Sequence, residues 1–127
     1  MRKLLLLLIV ALTATGLALT YGAGARPLAG WAKAMSLAHI WGGFFFLVLF
    51  PLYAWDHVSH NRRWLRVPAL VTFSGAMEVG SGALLILTGV VVLMYGDQVW
   101  EALRQAHHWL TYLLVPAIGL HFLARKG

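Results

Sequence analysis

Apolar residues fall in four long runs separated by short polar segments. The first covers residues 4–21, after Arg2 and Lys3. The second covers 35–55, entered through Trp31 and closed by Pro51, Tyr53 and Trp55. The third lies within 67–95 and is most continuous after Phe73, and the fourth covers 106–124. Each approaches the ~20 apolar residues that a helix needs to cross a bilayer. The pattern predicts helices over about 4–21, 35–55, 70–95 and 106–124. The connectors, 22–34, 56–66 and 96–105, leave no room for a folded domain, so residues 1–127 read as one membrane domain. The expected fold class is an all-α integral membrane protein, a four-transmembrane-helix bundle.

Composition strengthens this reading. The 127 residues are 61% hydrophobic and 11% charged, against about 45–50% apolar and about 25% charged in soluble domains. A body this small cannot hide the excess in one core. The net charge of +6 in a soluble chain would suggest nucleic acid as a partner. Here the basic residues sit at the ends of the apolar runs and read as orientation signals. Arg2, Lys3, Arg62, Arg63, Arg66, Arg125 and Lys126 fall on one side, and Arg26, Lys33 and Arg104 on the other. The positive-inside rule then predicts both termini on the cytoplasmic side. Trp31, Trp55, Trp64, Trp100, Trp109 and Tyr95 lie near the expected interfaces. The leader-like start, with Ala23-Gly24-Ala25 before Arg26, also fits a cleaved signal peptide. Its apolar stretch is longer than a usual signal core, which favours a retained helix, and both readings place residue 26 outside.

No cysteine is present, which excludes disulfides, thiolate metal sites, iron–sulfur clusters and cysteine nucleophiles. Six histidines remain, and a histidine within a membrane span is costly and usually functional. His39 lies near the outer end of the second helix, with His57 and His60 at its inner end. His107 and His108 are outer and His121 inner on the fourth, and the first and third helices have none. At about 100° per residue, His39 and His57 return to one face, His107 and His121 differ by about 40°, and His108 lies about 140° from His121. Two stripes facing each other pair His39 with His107 and His57 (or His60) with His121. Fourteen residues after His39 comes Tyr53 rather than histidine. A helix tilt or a break at Pro51 absorbs that offset, or else there is a single outer site.

Two neutral imidazoles from facing helices are what the axial positions of a b-type haem require, and the core of a helical bundle is a place to build such a site. The ligands expected are His39, His57, His107 and His121, holding two haems or one. On the third helix, Ser74-Gly75, Ser81-Gly82, Thr88-Gly89 and Tyr95-Gly96 recur every seven positions. That stripe reads either as close helix packing or as room for a porphyrin edge beside Gly82 and Gly89, with Gly43 doing the same on the second helix and Gly119 standing beside His121. Glu78 is the one carboxylate within a span, with proton exchange at a quinone and a structural role as the two readings. The basic residues near the faces either pair with haem propionates or serve orientation alone.

The run from His107-His108-Trp109-Leu110-Thr111-Tyr112 to Gly119-Leu120-His121 resembles the last ligand helix of bacterial di-haem membrane cytochromes b. These include the membrane subunits of formate dehydrogenases and nickel–iron hydrogenases, and the b-type cytochrome that oxidises superoxide. Two ligands on each of the second and fourth helices is similar to the cytochrome b core of bc complexes. The resemblance covers about residues 31–124. It implies haem b held between the second and fourth helices, with His39, His57, His107 and His121 as axial ligands. It further implies electron transfer in the bacterial inner membrane between a quinone pool and a partner redox subunit or periplasmic carrier. The chain departs from several relatives in lacking a first-helix histidine and in its short length. Two other readings compete. One is a copper or zinc transport or resistance protein using His57-x-x-His60 and His107-His108, since imidazole suits those metals; the other is a haem-free scaffold or assembly subunit.

Overall fold

The structure is a computed structural model that describes residues 1–22, 29–66 and 69–126. Ala23-Gly24-Ala25 and Arg26, which bear on the signal-peptide reading, lie outside the described residues. All regular structure among the described residues is helical: α1 Arg2–Tyr21, α2 Ala29–His60, α3 Leu70–Tyr95 and α4 Glu101–Lys126, with short 3-10 stretches at Arg62–Arg66 and Gly96–Gln98. Leucine and alanine dominate α1 and favour helix directly. α1 ends at Gly22, whose N–H reaches the Ala18 carbonyl. α3 ends at Gly96 with φ 54° and ψ −124°, a conformation that costs a side-chain-bearing residue but not glycine. α2 continues through Pro51 and α4 through Pro116, each of which removes one backbone donor from its helix.

Three of these helices are long and apolar enough to cross a membrane: Arg2–Tyr21, Gly30–His60 and Leu70–Tyr95. α4 has the length at 26 residues, but His107, His108 and His121 lower its hydropathy and it is not in that set. The expected fourth span is therefore the least apolar helix because it carries the polar chemistry. Helix bounds also correct the expectation. α2 begins at Ala29 and runs to His60, and α4 begins at Glu101, so much of each expected connector is helical. Hydropathy marks where a helix stops being apolar, whereas the backbone keeps its hydrogen bonds beyond that point.

The chain divides into two compact units, Met1–Phe50 and Pro51–Gly127. In the first, Leu5, Ile9, Phe46 and Phe50 are buried, and the last two rings stack with centres 4.8 Å apart. α2 passes close to α1 at Gly42, where a Cβ would lie 2.9 Å from Leu12 Cδ2 and the leucine tip would have to shift. In the second, α3 packs against α4 through buried Ser74, Ser81, Gly82 and Thr88 on α3 and Leu114 and Ala117 on α4. Many large apolar side chains, among them Leu7, Val10, Phe45, Leu87 and Leu123, are exposed.

Ser74 meets His121 and Thr88 meets His107. The two helices are thus antiparallel with equal spacing of fourteen residues, and the rung midway between is Ser81 opposite Leu114. Both are buried, at 2% and 3% exposure, so this rung is where α3 and α4 have no spare volume. Ser81→Leu is expected to destabilise the second unit by about 1–3 kcal/mol through overpacking. Denaturant or thermal unfolding in detergent checks this, and unchanged stability would mean that the rung is not close-packed.

Candidate functional site

Three of the six histidines are seated in the same way. His39 Nδ1 lies 2.9 Å from Thr15 Oγ1, His107 Nδ1 lies 2.8 Å from Thr88 Oγ1, and His121 Nδ1 lies 3.4 Å from Ser74 Oγ. In each case the residue after the hydroxyl is glycine. A Cβ on Gly16 would stand 3.1 Å from His39 Cε1, one on Gly89 3.2 Å from His107 Cε1, and one on Gly75 3.2 Å from His121 Cε1. The hydroxyl–glycine pair thus forms a seat in which glycine admits the ring and the hydroxyl addresses one nitrogen.

The direction of these hydrogen bonds follows from the hydroxyl's single proton. Thr15 Oγ1 donates to Ala11 O at 2.8 Å, Thr88 Oγ1 to Leu84 O at 2.8 Å, and Ser74 Oγ to Leu70 O at 2.8 Å. A carbonyl can only accept, so the hydroxyl proton is already committed to the turn below, as is common for Ser and Thr within helices. The arrangement in which all of these contacts are hydrogen bonds at once has the imidazole donating from Nδ1. His121 gives a second line to the same result, because its Nδ1 lies 3.1 Å from the Val71 carbonyl, which is also an acceptor only. The Nδ1–H tautomer places the ring's lone pair on Nε2, the atom that binds a metal when Nδ1 is held by another group.

His57 is seated differently. Its ring stacks on Tyr53, with centres 5.5 Å apart and planes 15° from parallel. It faces His121 with ring centres 5.8 Å apart and planes at 74°. Two imidazoles on opposite sides of one metal atom, each at about 2 Å, have ring centres about 6 Å apart. The spacing of the His57 and His121 ring centres is of that size. His60 turns away: it is exposed, and its Nδ1 lies 2.8 Å from the Asp56 carbonyl and 3.3 Å from Asp56 Oδ1. Of the two inner candidates on α2, His57 is thus the one that faces His121.

The remaining candidates divide. His39 belongs to the first unit and His107 to the second, and each is held within its own unit. His108 is partly exposed, and, following His107, it lies about 100° around the helix from the ring that meets α3. Gly89 is in contact range of His107, and Gly82 is buried on α3. The third-helix stripe therefore makes room for imidazoles at Gly75 and Gly89, a role intermediate between plain packing and porphyrin clearance. A Cβ on Gly43 or Gly119 would meet nothing within 4 Å. Glu78 is partly buried on α3, and His121 lies within its electrostatic range. Arg104, a candidate propionate partner, has Nε 3.9 Å from Glu101 Oε2 at the surface.

Sequence reasoning missed Thr15 and Gly16, because a single Thr-Gly pair on α1 forms no repeat like that of α3. The signal was present as the Thr-Gly dipeptide shared by α1 and α3. It also missed Val71, whose contribution is a backbone carbonyl and leaves no trace in side-chain chemistry. Among the described residues no three His, Cys, Asp or Glu groups gather as a metal-ion cluster, and a structural zinc site takes four protein ligands. A haem takes two. The described residues thus define a helical protein with three helices apolar enough for a membrane and a repeated histidine seat. No family model, curated protein or solved structure matches the chain.

Proposed function

We propose that the protein is a small b-type membrane cytochrome, in which His57 and His121 form one axial pair and His39 and His107 are further haem ligands. The observation that carries this reading is the repeated seat, in which hydroxyls of Thr15, Thr88 and Ser74 lie 2.9, 2.8 and 3.4 Å from Nδ1 of three imidazoles, an arrangement that suits an Nδ1–H ring with its lone pair on Nε2. When bound, the haem supplies one-electron chemistry. The chain's own residues bind it, exclude water and fix the ligand orientation.

All four α-helices cross the inner membrane in this reading, with both termini cytoplasmic, and the exposed leucines, valines and phenylalanines face lipid. α4 tolerates its polar residues because its seated histidines meet hydroxyls and glycines of α3. The chain offers little loop mass for substrate recognition. It therefore acts as an electron-transfer subunit between quinone and a partner redox protein rather than as a stand-alone enzyme. A reduced-minus-oxidised visible spectrum of the purified protein tests the reading. Haem bands at one or two per chain support it. Their absence, with bound copper or zinc, would turn the reading to transport; absence of both would leave a scaffold.

In this reading Glu78 of α3 exchanges a proton with the quinone. Glu78→Gln is expected to slow quinol-dependent haem reduction by about 100-fold, the low end of general acid–base contributions, with the haem spectrum unchanged. An unaltered reduction rate would remove the proton role and leave Glu78 structural.

A further inference from the structure

The three hydroxyls do not touch any reacting atom, yet their geometry decides which imidazole nitrogen carries the proton. We propose that Thr15, Thr88 and Ser74 are positioning residues that set the tautomer and the electron-donating strength of His39, His107 and His121. The proposal rests on the haem reading for its redox consequence, but its tautomer half stands on the protein alone.

The argument runs from proton count to donor strength. Each hydroxyl has one proton, and a carbonyl one turn back holds it at 2.8 Å in all three cases. The hydroxyl oxygen then presents lone pairs to Nδ1, and the ring answers by donating. A ring that donates from Nδ1 gains electron density at Nε2 and becomes a stronger ligand, in the manner of outer-shell partners at metal–histidine sites generally. A stronger donor favours the oxidised iron and lowers the midpoint potential. The three seats are graded. Thr88 and Thr15 approach Nδ1 at 2.8 and 2.9 Å. Ser74 stands at 3.4 Å, and the Val71 carbonyl is nearer at 3.1 Å. For His121 the backbone carbonyl is thus the nearer of the two acceptors.

The same reasoning explains why the seat uses a hydroxyl followed by glycine. The hydroxyl must lie on the helix turn that faces the ring, and the next residue lies beside it against the ring's Cε1 edge. Each of the three Cβ positions would come within 3.1–3.2 Å of Cε1. An alanine there would press the ring by a few tenths of an ångström and lengthen the bond to the hydroxyl. Hydroxyl and glycine therefore work as one device, repeated in both units of the chain.

The test compares Thr88→Val, Thr88→Ser and Ser74→Ala in the full-length protein. Valine keeps the shape of threonine and removes the acceptor; serine restores it. Nitrogen-15 NMR of the imidazoles in the haem-free protein is expected to show His107 as the Nδ1–H tautomer in wild type and Thr88→Ser, and a mixture in Thr88→Val. In the haem-loaded protein, Thr88→Val is expected to weaken haem binding by about 10–100-fold, as for other outer-shell partners, and to raise the midpoint potential of one haem. Thr88→Ser returns both toward wild type, and Ser74→Ala moves its haem less than Thr88→Val does. An Nε2–H tautomer for His107 in wild type, or a tautomer unaltered by Thr88→Val, would overturn the proposal. If the protein holds no haem, the cytochrome reading fails while the NMR arm still decides the role of the hydroxyls.

Discussion

His121→Ala is expected to remove one haem from the purified protein. His121 is anchored from several sides: Ser74 Oγ and the Val71 carbonyl address its Nδ1, Gly75 adjoins its ring, and His57 faces it at 5.8 Å between ring centres. Alanine leaves those supports in place and takes away only the ligand, so the loss reads as ligation rather than misfolding. The haem content per chain, taken from the difference spectrum, should fall by one, and His57→Ala should reproduce it. His60→Ala and His108→Ala serve as the contrast. His60 is exposed and paired with Asp56, and His108 sits off the α3-facing side, so both variants should keep the wild-type spectrum. An unchanged haem content in both His121→Ala and His57→Ala would sink the inner pair.

The second large effect concerns glycine. Gly75→Leu and Gly89→Leu place a branched side chain where even a Cβ would lie 3.2 Å from the Cε1 of His121 or His107. Either the ring rotates out of its seat and breaks the bond at Nδ1, or α3 and α4 separate. The second route costs about 1–3 kcal/mol of overpacking, so the ring is the cheaper thing to move. Each variant is expected to lose the haem bound by its own histidine while the other stays. Gly80→Ala is the control, because a Cβ there meets nothing within 4 Å and alanine favours helix over glycine by up to about 1 kcal/mol. Its spectrum and stability should match or exceed wild type. If Gly75→Leu and Gly89→Leu keep full haem, the glycines serve packing alone.

Much of the fold was legible because apolar run length is a coarse signal that survives without three-dimensional information. The runs over 4–21 and 70–95 match α1 and α3 within a few residues. The misplaced bounds at Ala29 and Glu101 share one cause. Lys33, Glu101 and Arg104 lie outside the apolar runs without ending a helix, since Lys, Glu and Arg are good helix formers. α4 reads less apolar than the others for the reason that makes it interesting, namely His107, His108 and His121.

The site was half legible. Fourteen-residue spacing put His107 and His121 on nearly one stripe, and both meet α3 through hydroxyls spaced by the same fourteen residues. Choosing between His57 and His60 required the fold, because both sit in the last turn of α2 and only one faces His121. Thr15 could not be assigned from sequence position, since a hydroxyl acquires its role from the ring that a neighbouring helix brings to it. The glycine heptad was visible as a stripe, but that Gly75 and Gly89 admit imidazoles while Ser81-Gly82 faces Leu114 depends on how α3 and α4 are aligned.

The central claim is that neutral imidazoles of this chain occupy both axial positions of a haem iron. Electron paramagnetic resonance of the oxidised, purified protein tests it most directly. The account predicts low-spin ferric signals of two-histidine haem, one of which disappears in His121→Ala. A high-spin signal in the wild-type protein, or haem that binds with no low-spin component, would contradict it.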